Sequence, residues 1–98
     1  MIENEGNLFE VKSITQKNFR TQIRHAIIQL EEYEYKHRVI KTPGFQKVVI
    51  KHIVFNKNPY EIFVDKNIID FYLELTDHKE IKIIYVEDNN IRVFKKEI

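Results

Sequence analysis

From Phe19 to about Arg38 the chain repeats apolar residues at steps of three and four. In the run NFRTQIRHAIIQLEEYEYKH, the positions Phe19, Ile23, Ala26, Ile27, Leu30 and Glu34 share one side, and all but Glu34 are apolar. That periodicity predicts an amphipathic helix of about twenty residues, roughly 30 Å long. Asn18 stands where a side-chain N-cap belongs. The stretches on either side have strand character: LFEVKSI from Leu8 to Ile14 before it, and KVVIKHIVF up to Phe55 after it. A helix joining two strands spans the length of a sheet, so a helical crossover within a mostly parallel or mixed sheet is expected. This one feature directs the chain toward an α/β fold.

The remaining sequence extends the same alternation. KVVIKHIVF is almost continuously apolar and reads as a strand buried on both faces. Asp65 is placed to cap a second helix, KNIIDFYLEL, with Ile68, Ile69, Tyr72 and Leu75 inward. DHKE makes the turn out, IKIIYVE is another buried strand, DNN is a hairpin turn and IRVFKK closes as an edge strand. The segment PYEIFV, residues 59 to 64, has no pattern that assigns it. The order β-α-β-α-β-β implies a mixed central sheet with helical crossovers. The breaks TPG and NKNP interrupt the chain without dividing it, so residues 1–98 are read as a single domain.

Composition narrows the function classes. A chain that is 43% hydrophobic and 32% charged can build a core. Its net charge of +1 means that any basic surface is local. The absence of cysteine removes disulfides, thiolate zinc sites and cysteine nucleophiles, and fits a cytoplasmic protein. No stretch has the length of a signal peptide or a membrane span, so no membrane partner is expected. With glycine only at positions 6 and 44 there is no phosphate-binding loop. The histidines at 25, 37, 52 and 78 have no metal-site spacing, and most of them read as surface residues.

Two clusters can carry chemistry. Glu10 and Lys12, two apart on a strand, project from one face. A carboxylate there can hold a divalent cation, and an ammonium beside it can stabilise charge building on a phosphate. An exposed strand face with an ion pair has the same three-residue pattern. In the helix, Gln22, His25, Gln29, Tyr33 and Lys36 form a polar stripe beside the apolar face, which sets it along the seam with the preceding strand. Amides and a phenol at such a seam can bond phosphate oxygens. They can equally be a solvated flank and a half-buried aromatic.

Taken together, the EVK strand, the helix with QLEEY and the β-branched strand that follows resemble the PD-(D/E)XK nuclease superfamily. The likeness is to its RecB-type branch with a Q-x-x-x-Y motif, and it covers roughly residues 8 to 86. It implies a restriction-endonuclease-like core, Mg²⁺ or Mn²⁺ as cofactor and hydrolysis of DNA. Glu10 would be the metal-binding carboxylate and Lys12 the catalytic lysine, with Gln29 and Tyr33 positioning water or substrate. Arg20, Arg24 and Lys36 would meet nucleic-acid phosphates. The family's first acid, an aspartate on the neighbouring strand of a hairpin, has no counterpart here. Glu3 and Glu5 are the only acids before Glu10, and a hairpin would have to turn at Glu5-Gly6-Asn7. A homodimer or another protein could complete the site. The alternative is an inactive, shortened nuclease fold that serves as a nucleic-acid- or protein-binding accessory of a phage or mobile element.

Overall fold

The two parallel crossovers step across the sheet in one direction. The computed structural model describes residues 2–4, 6–36, 50–62 and 64–95. Its elements are β1 (Ile2–Asn4), β2 (Asn7–Lys12), α1 (Phe19–Tyr35), β3 (Ile50–Phe55), a 3₁₀ turn (Pro59–Ile62), α2 (Lys66–His78), β4 (Ile81–Glu87) and β5 (Asn90–Val93). The strands lie side by side in chain order. β2, β3 and β4 are mutually parallel, and β1 and β5 are antiparallel to their neighbours at the two edges. Crossovers of one hand that advance the same way put their helices on the same face. The result is one helical layer on one sheet.

The strand registers show that face as three rows. Leu8, Lys51 and Ile81 are partners across β2, β3 and β4, as are Glu10, Ile53 and Ile83, and then Lys12, Phe55 and Tyr85. Leu8, Ile53, Phe55, Ile81 and Ile83 are all buried. α1 covers the rows with Phe19, Ile23, Ala26, Ile27 and Leu30, each buried as its spacing predicts. A fully buried side chain of this size contributes about 1.5–3 kcal/mol. Leu30→Ala, at the centre of the stripe, would therefore remove about 2–5 kcal/mol with its cavity. α2 adds Ile69, Tyr72 and Thr76, and Phe19 joins the two helices and the sheet through ring contacts to Phe55 (6.0 Å) and Tyr72 (6.1 Å).

Several expectations change. The short strand β1 does precede β2, and Gly6, with φ of 83°, turns the chain between them where the hairpin required it, a conformation glycine adopts without penalty. β3 is buried on one face only, alternating between Lys51, Ile53 and Phe55 inside and Ile50, His52 and Val54 outside. Its β-branched run reflects strand propensity rather than double coverage. Asn18 does not cap α1. Its side-chain oxygen accepts from Thr15 N and its amide donates to Ser13 O, so it ties the turn before the helix instead. Asp65 does cap α2, accepting from Asn67 N at 2.8 Å. The unassigned PYEIFV opens with the 3₁₀ turn, and Asp88 and Asn89, both at positive φ, form the two-residue hairpin turn. The first helix was expected to reach Arg38, which lies with His37 outside the described residues. Among the described residues no helix is long and apolar enough to cross a membrane.

Candidate functional site

Glu10 stands in the middle row of the buried face, between Leu8 and Lys12 on its own strand and beside Ile53 on β3. Only 6% of it is exposed, against the exposed strand face that an incidental ion pair would occupy. The alternation of β2 leaves no choice. Because Leu8 must enter the core, the residue two further on enters with it. Lys12 follows on the same face and is partly exposed near the carboxyl end of the strand. Its Nζ lies 3.5 Å from Glu10 Oε1, an ion pair longer than a tight hydrogen bond. Glu10 Oε2 is buried with no hydrogen-bond partner. A carboxylate oxygen withdrawn from water without a partner is expensive, and in native proteins it calls for an explanation.

The end of β2 is tied down on both sides. Gln22 Nε2 donates to Ser13 O at 3.1 Å, and Asn56 Oδ1, just after β3, accepts from Ile14 N at 2.8 Å. Of the polar stripe of α1, Gln22 is the member that bonds the end of β2, while His25, Gln29 and Lys36 are exposed. The helix descends antiparallel to the strand from there. Gln29 lies about 10 Å down the helix from Gln22, and Glu10 lies about 10 Å back along β2 from Ser13. Gln29 is therefore roughly level with Glu10, but it is exposed on the outer flank. Tyr33, one turn lower, is half-buried and packs against the core.

The basic residues are not brought to this site. Arg24 Nε donates to Tyr72 OH at 2.7 Å, and Arg20 and Arg24 line a cleft with Asp65, Asn67 and Ile68 of the second helix and its cap. They stand on the α2 flank of α1, because three- and four-residue steps separate them from the Gln22 flank by the width of the buried stripe. Lys36 is exposed at the far end of α1. Of the acids expected to complete a metal site, only the backbone of Glu3 is described. The register sets Glu3 opposite Leu8, one pleat repeat from Glu10, and Glu5 lies outside the described residues. Among the described residues no group of three His, Asp or Glu is placed to hold a metal ion.

Two residues of β3 were missed. Lys51 is buried, with Nζ 3.1 Å from Glu31 and 3.5 Å from Glu34 beneath the last turns of α1. The signal was a lysine in a strand run together with two glutamates three apart on the covering helix. His52, expected at the surface, stacks on Phe9 at 4.7 Å, and its Nε2 donates to Asn7 Oδ1 at 3.0 Å. Burial, and then the nearby Lys82 charge, hold its pKa below the ordinary histidine value.

No family model, no curated protein and no solved structure matches the chain.

Proposed function

We propose that this chain is a nuclease-like domain with a restriction-endonuclease-like core, hydrolysing DNA phosphodiesters with Mg²⁺ or Mn²⁺. The observation that supports it best is the buried, partnerless Oε2 of Glu10 beside the Lys12 ammonium. The order of elements agrees with it: a hairpin, a strand carrying the pair, a covering helix and a parallel strand. Glu10 offers the hard oxygen donor that these cations prefer, and its free oxygen leaves a coordination position. The cation, when bound, would polarise the scissile phosphate and lower the pKa of an attacking water.

The chain's own residues would do the following. Glu10 holds the cation. Lys12, near the strand's carboxyl end, meets the phosphate and stabilises the negative charge that builds on it. Gln22 and Asn56 hold the end of β2 in place. Gln29, level with Glu10 and open to solvent, is positioned to bond the nucleic-acid backbone.

The alternative, an accessory that binds without cutting, is favoured by one observation. Among the described residues no group of three His, Asp or Glu placed to hold a metal ion includes Glu10. A cleavage assay on single- and double-stranded DNA with Mg²⁺ or Mn²⁺ separates the two. Cutting by the wild type that is lost in both Lys12→Ala and Glu10→Gln, with folding verified by circular dichroism, supports the nuclease. A folded wild type that binds DNA with a steep salt dependence but leaves it intact supports the accessory.

A further inference from the structure

The sheet face opposite the helices holds a second set of rows. Val11 on β2 is the register partner of Val54 on β3, Val54 of Ile84 on β4, and Ile84 of Val93 on β5. Four β-branched side chains thus form one line across four strands. Val86 and Ile91 are partners on the same face toward one end of the strands. Neither helix covers them, since both crossovers deliver their helices to the face of Leu8, Ile53 and Ile83. The exposures of Val11 (56%), Ile91 (71%) and Val93 (63%) are those of open surface.

We infer that this face is the interface of a homodimer, in which the two sheets stack face to face. Three properties favour a second copy over other occupants. First, the surface is nearly free of formal charge. Lys82 is the charged residue facing outward within β2, β3 and β4, and it lies one row away from the aliphatic line, beside His52 and Phe9. Such a face has no counter-charge to offer nucleic acid or an acidic peptide. Second, it is flat. Short β-branched side chains on a pleated sheet make neither a deep groove nor a projecting anchor. They pack best against another surface of the same kind, as the inner faces of sandwiches do at about 10 Å separation. A two-fold axis lying between the sheets sets the aliphatic line against its own copy, which satisfies the self-complementarity of a closed dimer. Third, the area fits a small interface. β2, β3 and β4, about 20 Å long, and the shorter β5, spaced about 4.8 Å apart, present roughly 360 Å² in projection, which places the contact at the small end beside the ~800 Å² of accessible surface that each partner buries in a standard interface.

The interface would lie on the opposite side of the sheet from Glu10 and Lys12. It therefore leaves the candidate site open and does not complete it, and the inference stands apart from the nuclease reading.

Analytical ultracentrifugation across a dilution series tests it. The wild type is expected to sediment with twice the mass of one chain. Ile91→Lys and Val93→Lys, each at an exposed position, are expected to weaken the dimer about 100-fold or more, because each buries an uncompensated ammonium. Phe71→Lys, exposed on the helical side, is expected to leave the dimer intact. Circular dichroism verifies that each variant is folded. A wild type that remains monomeric overturns the inference, whether or not it captures another protein. So does a dimer that neither Ile91→Lys nor Val93→Lys weakens, or one that Phe71→Lys dissociates.

Discussion

The Lys12 ammonium lies 3.5 Å from one carboxylate oxygen of Glu10 and leaves the other buried without a partner. The two residues are unequally placed, since the side chain of Lys12 is 16% exposed and that of Glu10 is 8% exposed. Removing the lysine strands a buried carboxylate. Removing the glutamate leaves a long side chain that can extend its head to water. Lys12→Met is therefore expected to destabilise the fold by about 3 kcal/mol. Glu10→Leu is expected to fall within about 1 kcal/mol of the wild type, or above it. Urea denaturation midpoints at unchanged slope measure both.

If Glu10 is a metal ligand, divalent cations stabilise the folded state. At ten times its dissociation constant, Mg²⁺ or Mn²⁺ adds about 1.4 kcal/mol, a rise of several degrees in Tm for a chain of this length. Glu10→Gln is expected to abolish the rise while Glu31→Gln retains it. Differential scanning calorimetry with and without the metal reads the effect independently of any cleavage.

His52 predicts a pH dependence. Its pKa in the folded state lies below the ordinary value of 6.5, through burial and then the Lys82 charge. The unfolded chain binds that proton first, so stability rises with pH across the window between the two values. The contribution is fully present above pH ~6.5 and is lost as the pH falls toward the folded-state pKa. The protonated ring would face Lys82 from β4 while stacked on Phe9 from β2, with Asn7 still accepting from Nε2. His52→Gln is expected to flatten this part of the stability profile, as measured by urea midpoints between pH 5 and 8.

The ends of α2 offer opposite outcomes. Asp65→Ala removes the acceptor for Asn67 N and is expected to cost about 1 kcal/mol. Glu80, just past the helix, has φ of 58°, where a side chain is unfavourable. Glu80→Gly is expected to stabilise by up to about 1 kcal/mol. Thermal unfolding of the two variants gives both signs.

The periodic elements were legible in the sequence because a single local rule sets each one. The apolar steps from Phe19 to Leu30 named every buried residue of α1, and the two-residue spacing put Glu10 and Lys12 on one face. What escaped depends on partners distant in the chain. Whether β3 is covered on one face or two is decided by the direction of two crossovers, and nothing within KVVIKHIVF records it. Lys51 reads as one more surface cation until β3 is set beneath Glu31 and Glu34. Asn18 was misread because two bonding options compete within one turn, and the loop amide at Thr15 won over the helix end. Arg20 and Arg24 share a helix with Gln22, but their flank only acquires a neighbour once α2 docks.

The register of β2 and β3 also fixes an order of events as the chain is made. Asn7 pairs with Ile50, about 40 residues later, so loop closure must precede the pairing. The β1–β2 hairpin and α1 use near neighbours and can form while β3 is still unsynthesised. Until β3 arrives, one edge of β2 has no strand beside it, and the Glu10 carboxylate stays hydrated. Its dehydration therefore accompanies the long-range pairing of β2 with β3, a contact that loop closure makes slow.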